Sequence, residues 1–84
     1  MDDKTKKRIE VMNAVLVKME DIKNSQQSLI EKIGQVEVDL FEIKSKDLDA
    51  ELEKVMTKAS DSFEIIKDAI EAFEMKRNRI ENES

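Results

Sequence analysis

The chain has no cysteine, histidine, proline, tryptophan or tyrosine, and only one glycine among its 84 residues. Without cysteine there is no disulfide framework, no thiolate metal site and no sulfur nucleophile. Without histidine the chain lacks the side chain that most often moves protons near neutral pH and most often ligates transition metals. A single glycine cannot build a phosphate-cradling loop, and no Gly-centred acidic run of the EF-hand kind occurs. The Glu-x-x-His signature of di-iron bundles is likewise ruled out. Serines are present, but none has a histidine beside it or a recognisable Ser-Lys motif around it to activate it. Elimination of these groups leads to the expectation of a non-enzyme with no cofactor and no metal.

Long apolar runs are also missing. No stretch approaches the roughly 20 residues that span a bilayer, so a soluble protein is expected, with the cytoplasm as its place. The run Val11 to Val17 follows a basic patch as a secretory leader would. Glu10 and Asn13 interrupt it, however, and no small-residue cleavage site follows, so it reads as the opening turns of a core helix.

What remains is charge and rhythm. Charged residues make up 42% of the chain and apolar ones 39%, with a net charge of -5. That is the composition of long solvated helices with an apolar seam. Met12, Val15, Met19, Ile22, Gln26, Leu29, Ile33, Val36, Leu40 and Ile43 recur at alternating steps of three and four, which is the a/d rhythm of a helix that hides one stripe. With Met12 at a, Ile9, Leu16 and Ile30 fall at e, and the stripe is wider than a two-stranded seam needs. A second ladder, Leu52, Met56, Ala59, Phe63, Ile66, Ile70, Phe73, Arg77 and Ile80, keeps the rhythm in another phase. The offset between the two is two residues, which neither a stutter nor a stammer repairs.

The break falls at Lys44-Ser45-Lys46-Asp47. Ser45 or Asp47 can cap a new helix, and Asp47 and Asp49 suit its positive end. The expected architecture is all-α: one domain over residues 1–84, with a helix over about 4–43, a turn over 44–47 and a helix over about 48–81. The two arms form an antiparallel hairpin, each arm about 55 to 60 Å long at the standard rise. Three features of the first arm leave alternatives open. Asn24 to Ser28 is polar and could kink or loop, although the ladder runs through it in phase. Gly34 costs a helix about 1 kcal/mol without breaking it. Val36 to Leu40 alternates like a strand, but no second strand is evident to pair with it.

A lone hairpin is expected to leave residues such as Met12, Leu16, Ile30 and Phe63 partly wet. That motivates a homodimer, two hairpins making an antiparallel four-helix bundle. The expected helix–helix interface consists of Met19, Ile22, Ile33, Leu40, Met56, Phe63, Ile66, Ile70 and Phe73. Gln26 and Arg77 interrupt the ladders at positions where polar residues can fix register or oligomer order.

The function that follows is a non-catalytic module for protein–protein interaction or assembly, working through helix packing and self-association. An alternative is a small acidic regulator or inhibitor seated in the groove of a partner protein, for which adaptable methionines would suit. A lesser alternative uses the hairpin's open end, where Lys6, Lys7 and Arg8 would meet Lys76, Arg77 and Arg79 in a basic tip able to touch nucleic acid. The acidic residues among those cations, and the absence of interleaved aromatics, count against it. Acidic pairs such as Glu51 with Glu53 read as a solvated helix face.

Overall fold

In the computed structural model, which describes residues 2–83, two α-helices account for nearly the whole chain: α1, Asp3–Ile43, and α2, Lys46–Asn82. Only Lys44 and Ser45 lie between them. The arms are almost equal and fold side by side into a rod measuring 62 × 14 × 13 Å. Its length is that of a single arm, so the helices run antiparallel.

Each helix start is built from a capping side chain. Asp2 accepts a hydrogen bond on Oδ1 from the Thr5 amide at 2.7 Å, and Ser45 accepts one on Oγ from the Leu48 amide at 3.4 Å. These contacts satisfy amides that have no partner within the first turn. Asp47 and Asp49 follow in the first turn of α2, where the helix dipole favours negative charge.

The turn is tighter than the four residues expected. Lys44 closes α1 in the left-handed region, at φ 51° and ψ 64°, and donates its amide to the Leu40 carbonyl at 2.8 Å. Glycine ordinarily fills such a position because a Cβ makes it strained. Here a lysine does, which explains why no turn residue announced the corner.

α1 runs unbroken through both suspected interruptions. Asn24 to Ser28 is helical throughout, so the ladder's phase outweighed local polarity. Val36 to Leu40 is helical too, as is Gly34, around which a Cβ would meet nothing within 4 Å.

The arms pack in a definite register. Arg77 donates from Nη1 to Asn13 Oδ1 at 3.0 Å, a bond between residues far apart in sequence. Counted outward from the turn, that register sets Ile33 level with Met56, Gln26 with Phe63, Met19 with Ile70, and Leu16 with Phe73. Each level joins one residue from each arm, the alternation expected of helices packed knobs-into-holes.

The buried set is Ile9, Met12, Leu16, Ile33 and Leu40 from α1 with Ala59 and Ile70 from α2. In α2, Leu52, Met56, Phe63, Ile66 and Phe73 stand half-buried around those two, so the second ladder and the seam coincide. In α1 they do not. The seam takes the column of Met12, Met19, Gln26, Ile33 and Leu40 together with the column of Ile9, Leu16, Lys23, Ile30 and Glu37.

Two expectations are corrected by this. Met12 and Leu16, expected to be partly wet, are only 5% and 6% exposed, whereas Ile30 and Phe63 are half-buried and so do stay partly wet. Ile22, expected inside, is 49% exposed. The cause is rotational: adjacent columns of a helix lie about 40° to 60° apart, so a modest turn of α1 about its axis exchanges one neighbour of the Met12 column for the other.

Candidate interaction surface

The column displaced from the seam is Val15, Ile22, Leu29, Val36 and Ile43, one apolar residue every seventh position. All five are exposed, from Val15 at 37% to Ile43 at 70%. They lie beside the Met12 column and form one long edge of α1.

α2 supplies a matching edge. Leu48, Val55, Ser62 and Ala69 recur at the same interval beside the column of Leu52, Ala59, Ile66 and Phe73. An antiparallel helix pair has a two-fold axis perpendicular to the plane of its helices, and that rotation keeps each flank on its own side. The two edges therefore border the same flank of the hairpin. Counted from the turn, they meet in levels: Ile43 with Leu48, Val36 with Val55, Leu29 with Ser62, and Ile22 with Ala69. Farther out on this flank stand Val11 and Ile65, both exposed.

The other flank differs in kind. Asn13, Glu20, Gln27 and Gly34 occupy it on α1, and Ser60, Lys67 and Glu74 on α2. The Arg77–Asn13 bond closes it near the open end. Near the turn, Gly34, Val38, Phe41 and Lys44 border an open groove facing Asp49. Phe41, at 80% exposure, and Val38 beside it form a short apolar pair rather than a stripe along the helix.

Polar atoms are caught in the seam itself. Gln26 Oε1, Glu37 Oε1 and Arg77 Nε are shielded from solvent and accept or donate no hydrogen bond. Arg77 is nevertheless held, since Nε lies 3.8 Å from Glu81 and Nη2 donates to Asn78. Lys23 reaches outward to Glu20 at 3.1 Å. Gln26 has no such outlet. The ladder of a positions had marked Gln26 and Arg77; Glu37 was missed because its column was not assigned to the seam.

Of the six cations expected at the open end, Lys6, Lys7, Arg8, Lys76 and Arg79 are exposed there and Arg77 is engaged as described. They alternate with Asp2, Asp3, Glu10, Glu74, Glu81 and Glu83, which leaves that end close to neutral. The turn end is strongly acidic by contrast, with Glu37, Asp39, Glu42, Asp47, Asp49 and Glu51 around Lys44 and Lys46.

Chemically reactive geometry is sparse. Among the described residues no group of three or more acidic, histidine or cysteine side chains is placed to hold a metal ion, and no helix is long and apolar enough to cross a membrane. The ion pairs Lys23–Glu20, Lys54–Glu51, Lys67–Glu64 and Arg77–Glu81 each join residues three or four apart on one helix. Pairs of this sort contribute about 0.2 to 0.5 kcal/mol each. The Asp2 carboxyl is held below its ordinary value of 3.8, chiefly by the hydrogen bond from the Thr5 amide. Against known protein families, curated proteins and solved structures, the chain finds no match.

Proposed function

We propose that this chain is a non-catalytic protein–protein interaction module that assembles through its helix faces. The observation that carries the reading is the flank of Val15, Ile22, Leu29, Val36 and Ile43, left open beside a seam that is already closed. Contiguous apolar stripes of that length on a small protein mark surfaces that other protein covers. Helix packing supplies the mechanism, with no chemical step: apolar area leaves water, and the charged outer faces keep the assembly dissolved.

The test is the molar mass in solution. Sedimentation equilibrium is expected to give more than the 9.7 kDa of one chain, unchanged on tenfold dilution. A monomer throughout the concentration range would remove the self-associating module. One observation favours a second reading, an acidic regulator seated on a basic partner surface: the negative charge is concentrated at the turn end, beside exposed Phe41. A monomer that gains helicity only on mixing with such a partner would replace the first reading by this one. Nucleic-acid contact through Lys6, Lys7, Arg8, Lys76 and Arg79 has less support, because the carboxylates among them cancel the field. An absence of binding to single- or double-stranded probes at low salt would end it.

A further inference from the structure

The proposed module leaves open what covers the apolar flank and in which direction. We infer that a second copy of this chain covers it, with both turns at the same end, so that α1 of each copy lies along α2 of the other. The inference rests on the self-association just proposed and adds the face and the orientation.

Three observations lead there. The apolar arc of α1 comprises three adjacent columns, headed by Val15, Met12 and Leu16, and covers about 120° of the helix circumference. The hairpin seam occupies one side of that arc. Its midline, the Met12 column, points diagonally between α2 and the open flank, which is the direction of the centre of a four-helix bundle.

The flank is also large enough. It runs the 62 Å length of the rod and is about as wide as the 14 Å hairpin, giving a footprint of roughly 850 Å², against the roughly 800 Å² per partner typical of a stable interface.

The third observation sets the direction. Face to face with turns together, the levels of the flank match large residues with small ones or aliphatic with aliphatic: Ile22 on Ala69, Leu29 on Ser62, Val36 on Val55 and Ile43 on Leu48. Only Val15 meets a charge, that of Lys76. With turns at opposite ends, Ile22 falls on Ile22 and Leu29 near Val15, but Val36 comes near Arg8, Val55 near Lys76 and Leu48 near Glu83. Three kinds of apolar residue rather than one are then set beside a charge that would have to be desolvated. The same-end arrangement brings two acidic turns together. Apart from Glu37, whose Oε1 is turned into the seam, their carboxylates are exposed, and repulsion between them is screened over about 8 Å at physiological salt.

The orphaned amide fits the same arrangement. Gln26 lies on the column that faces the bundle centre, and its Oε1 is buried without a donor. With both turns at one end, the two copies of Gln26 stand at the same height on diagonally opposed helices, where the Nε2 of one can donate to the Oε1 of the other. With turns opposed, Gln26 stands near the level of Met19 of the other copy, which offers no donor.

The experiment exploits the absence of cysteine. A single spin label on Lys46→Cys, an exposed site next to the turn, reports the distance between turns by pulsed dipolar spectroscopy. The expected distance is within about 20 Å, two interhelix spacings. A distance near the 62 Å length of the rod overturns the orientation while leaving self-association standing. A species of one-chain mass with no dipolar coupling overturns both.

The face is tested separately. Leu29→Lys is expected to lower the mass from two chains to one with helical circular dichroism retained, whereas Val38→Lys, on the opposite side of α1, leaves two chains. Equal dissociation by both variants, or by neither, overturns the assignment of the face. Should Leu29→Lys fail to fold, Ile22→Glu takes its place with the same expected result. The label distance is independent of either.

Discussion

α1 and α2 are built from the same rhythm, yet they use it differently. In α2 every ladder position from Leu52 to Ile80 is buried or half-buried, and the apolar residues left outside, such as Ile65 and Met75, are few. In α1 the ladder is split along its length: the Met12 half is inside and the Val15 half is outside. Meanwhile Lys23 and Glu37 sit in the seam while apolar Ile22 and Val36 stand out of it. A helix with two apolar columns has one way to face its partner. A helix with three has a choice, and the column it leaves out becomes a surface.

The sharpest way to test that contrast is to empty each seam in turn. Ile70→Ala removes a side chain that is 4% exposed at the middle of α2, and is expected to cost about 3 kcal/mol in chemical denaturation, as a cavity in a well-packed site does. Leu16→Ala should cost a similar amount at any protein concentration. Leu29→Ala, one column away from the seam, should cost about 1 kcal/mol when the chain is dilute and more as concentration rises, since in the proposed pairing a second molecule covers it. Equal and concentration-independent costs for Leu16 and Leu29 would mean that the two columns of α1 are not different in kind.

Gln26→Leu sharpens the comparison from the opposite direction. It removes a buried acceptor that has no donor within the hairpin and is expected to stabilise the fold by about 1 to 2 kcal/mol, raising the melting temperature by several degrees. The same change deletes a polar residue at a core position, so mixed oligomers or orientations are expected in sedimentation. A variant that melts higher yet remains one species with one label distance would show that Gln26 carries no specificity.

The backbone gives a smaller effect. Lys44→Gly relieves a left-handed residue at the corner and is expected to add about 1 kcal/mol in thermal unfolding. Loss of stability there would mean that the lysine side chain contributes something the backbone geometry does not reveal. The smallest effect belongs to Asp2. Its carboxyl titrates lower in the folded chain than in the unfolded one, so its contribution is complete above the unfolded value near 3.8 and disappears as pH falls through the lower folded value. Hydrogen exchange at the Thr5 amide should quicken in acid and in Asp2→Ala, with the centre of the hairpin unaffected.

Much of the architecture was legible in the residues. The two-residue phase offset between the ladders located the corner, because a continuous helix cannot present both stripes to one partner. The absence of proline allowed α1 to pass through Asn24 to Ser28, and the in-phase spacing of Gln26 signalled that it would. The interface was less legible. Of the nine residues expected at the interface, Ile33, Leu40 and Ile70 are buried, Met19, Met56, Phe63, Ile66 and Phe73 are half-buried, and Ile22 is exposed. In a stripe three columns wide, periodicity alone cannot say which pair of columns meets the other arm. Nor did any residue type mark Lys44, since a lysine gives no hint that it will adopt the left-handed region.

The sequence by itself determined that there are two helices, that they meet near Lys44, and that one has more apolar width than a hairpin needs, because these depend on spacing along a single helix. The tertiary structure alone decided the rotation of α1 about its axis: Ile9 and Leu16 inward, Val15 and Ile22 outward. That choice depends on how side chains from two helices fit against each other, and such fit is a property of the pair that neither helix carries alone.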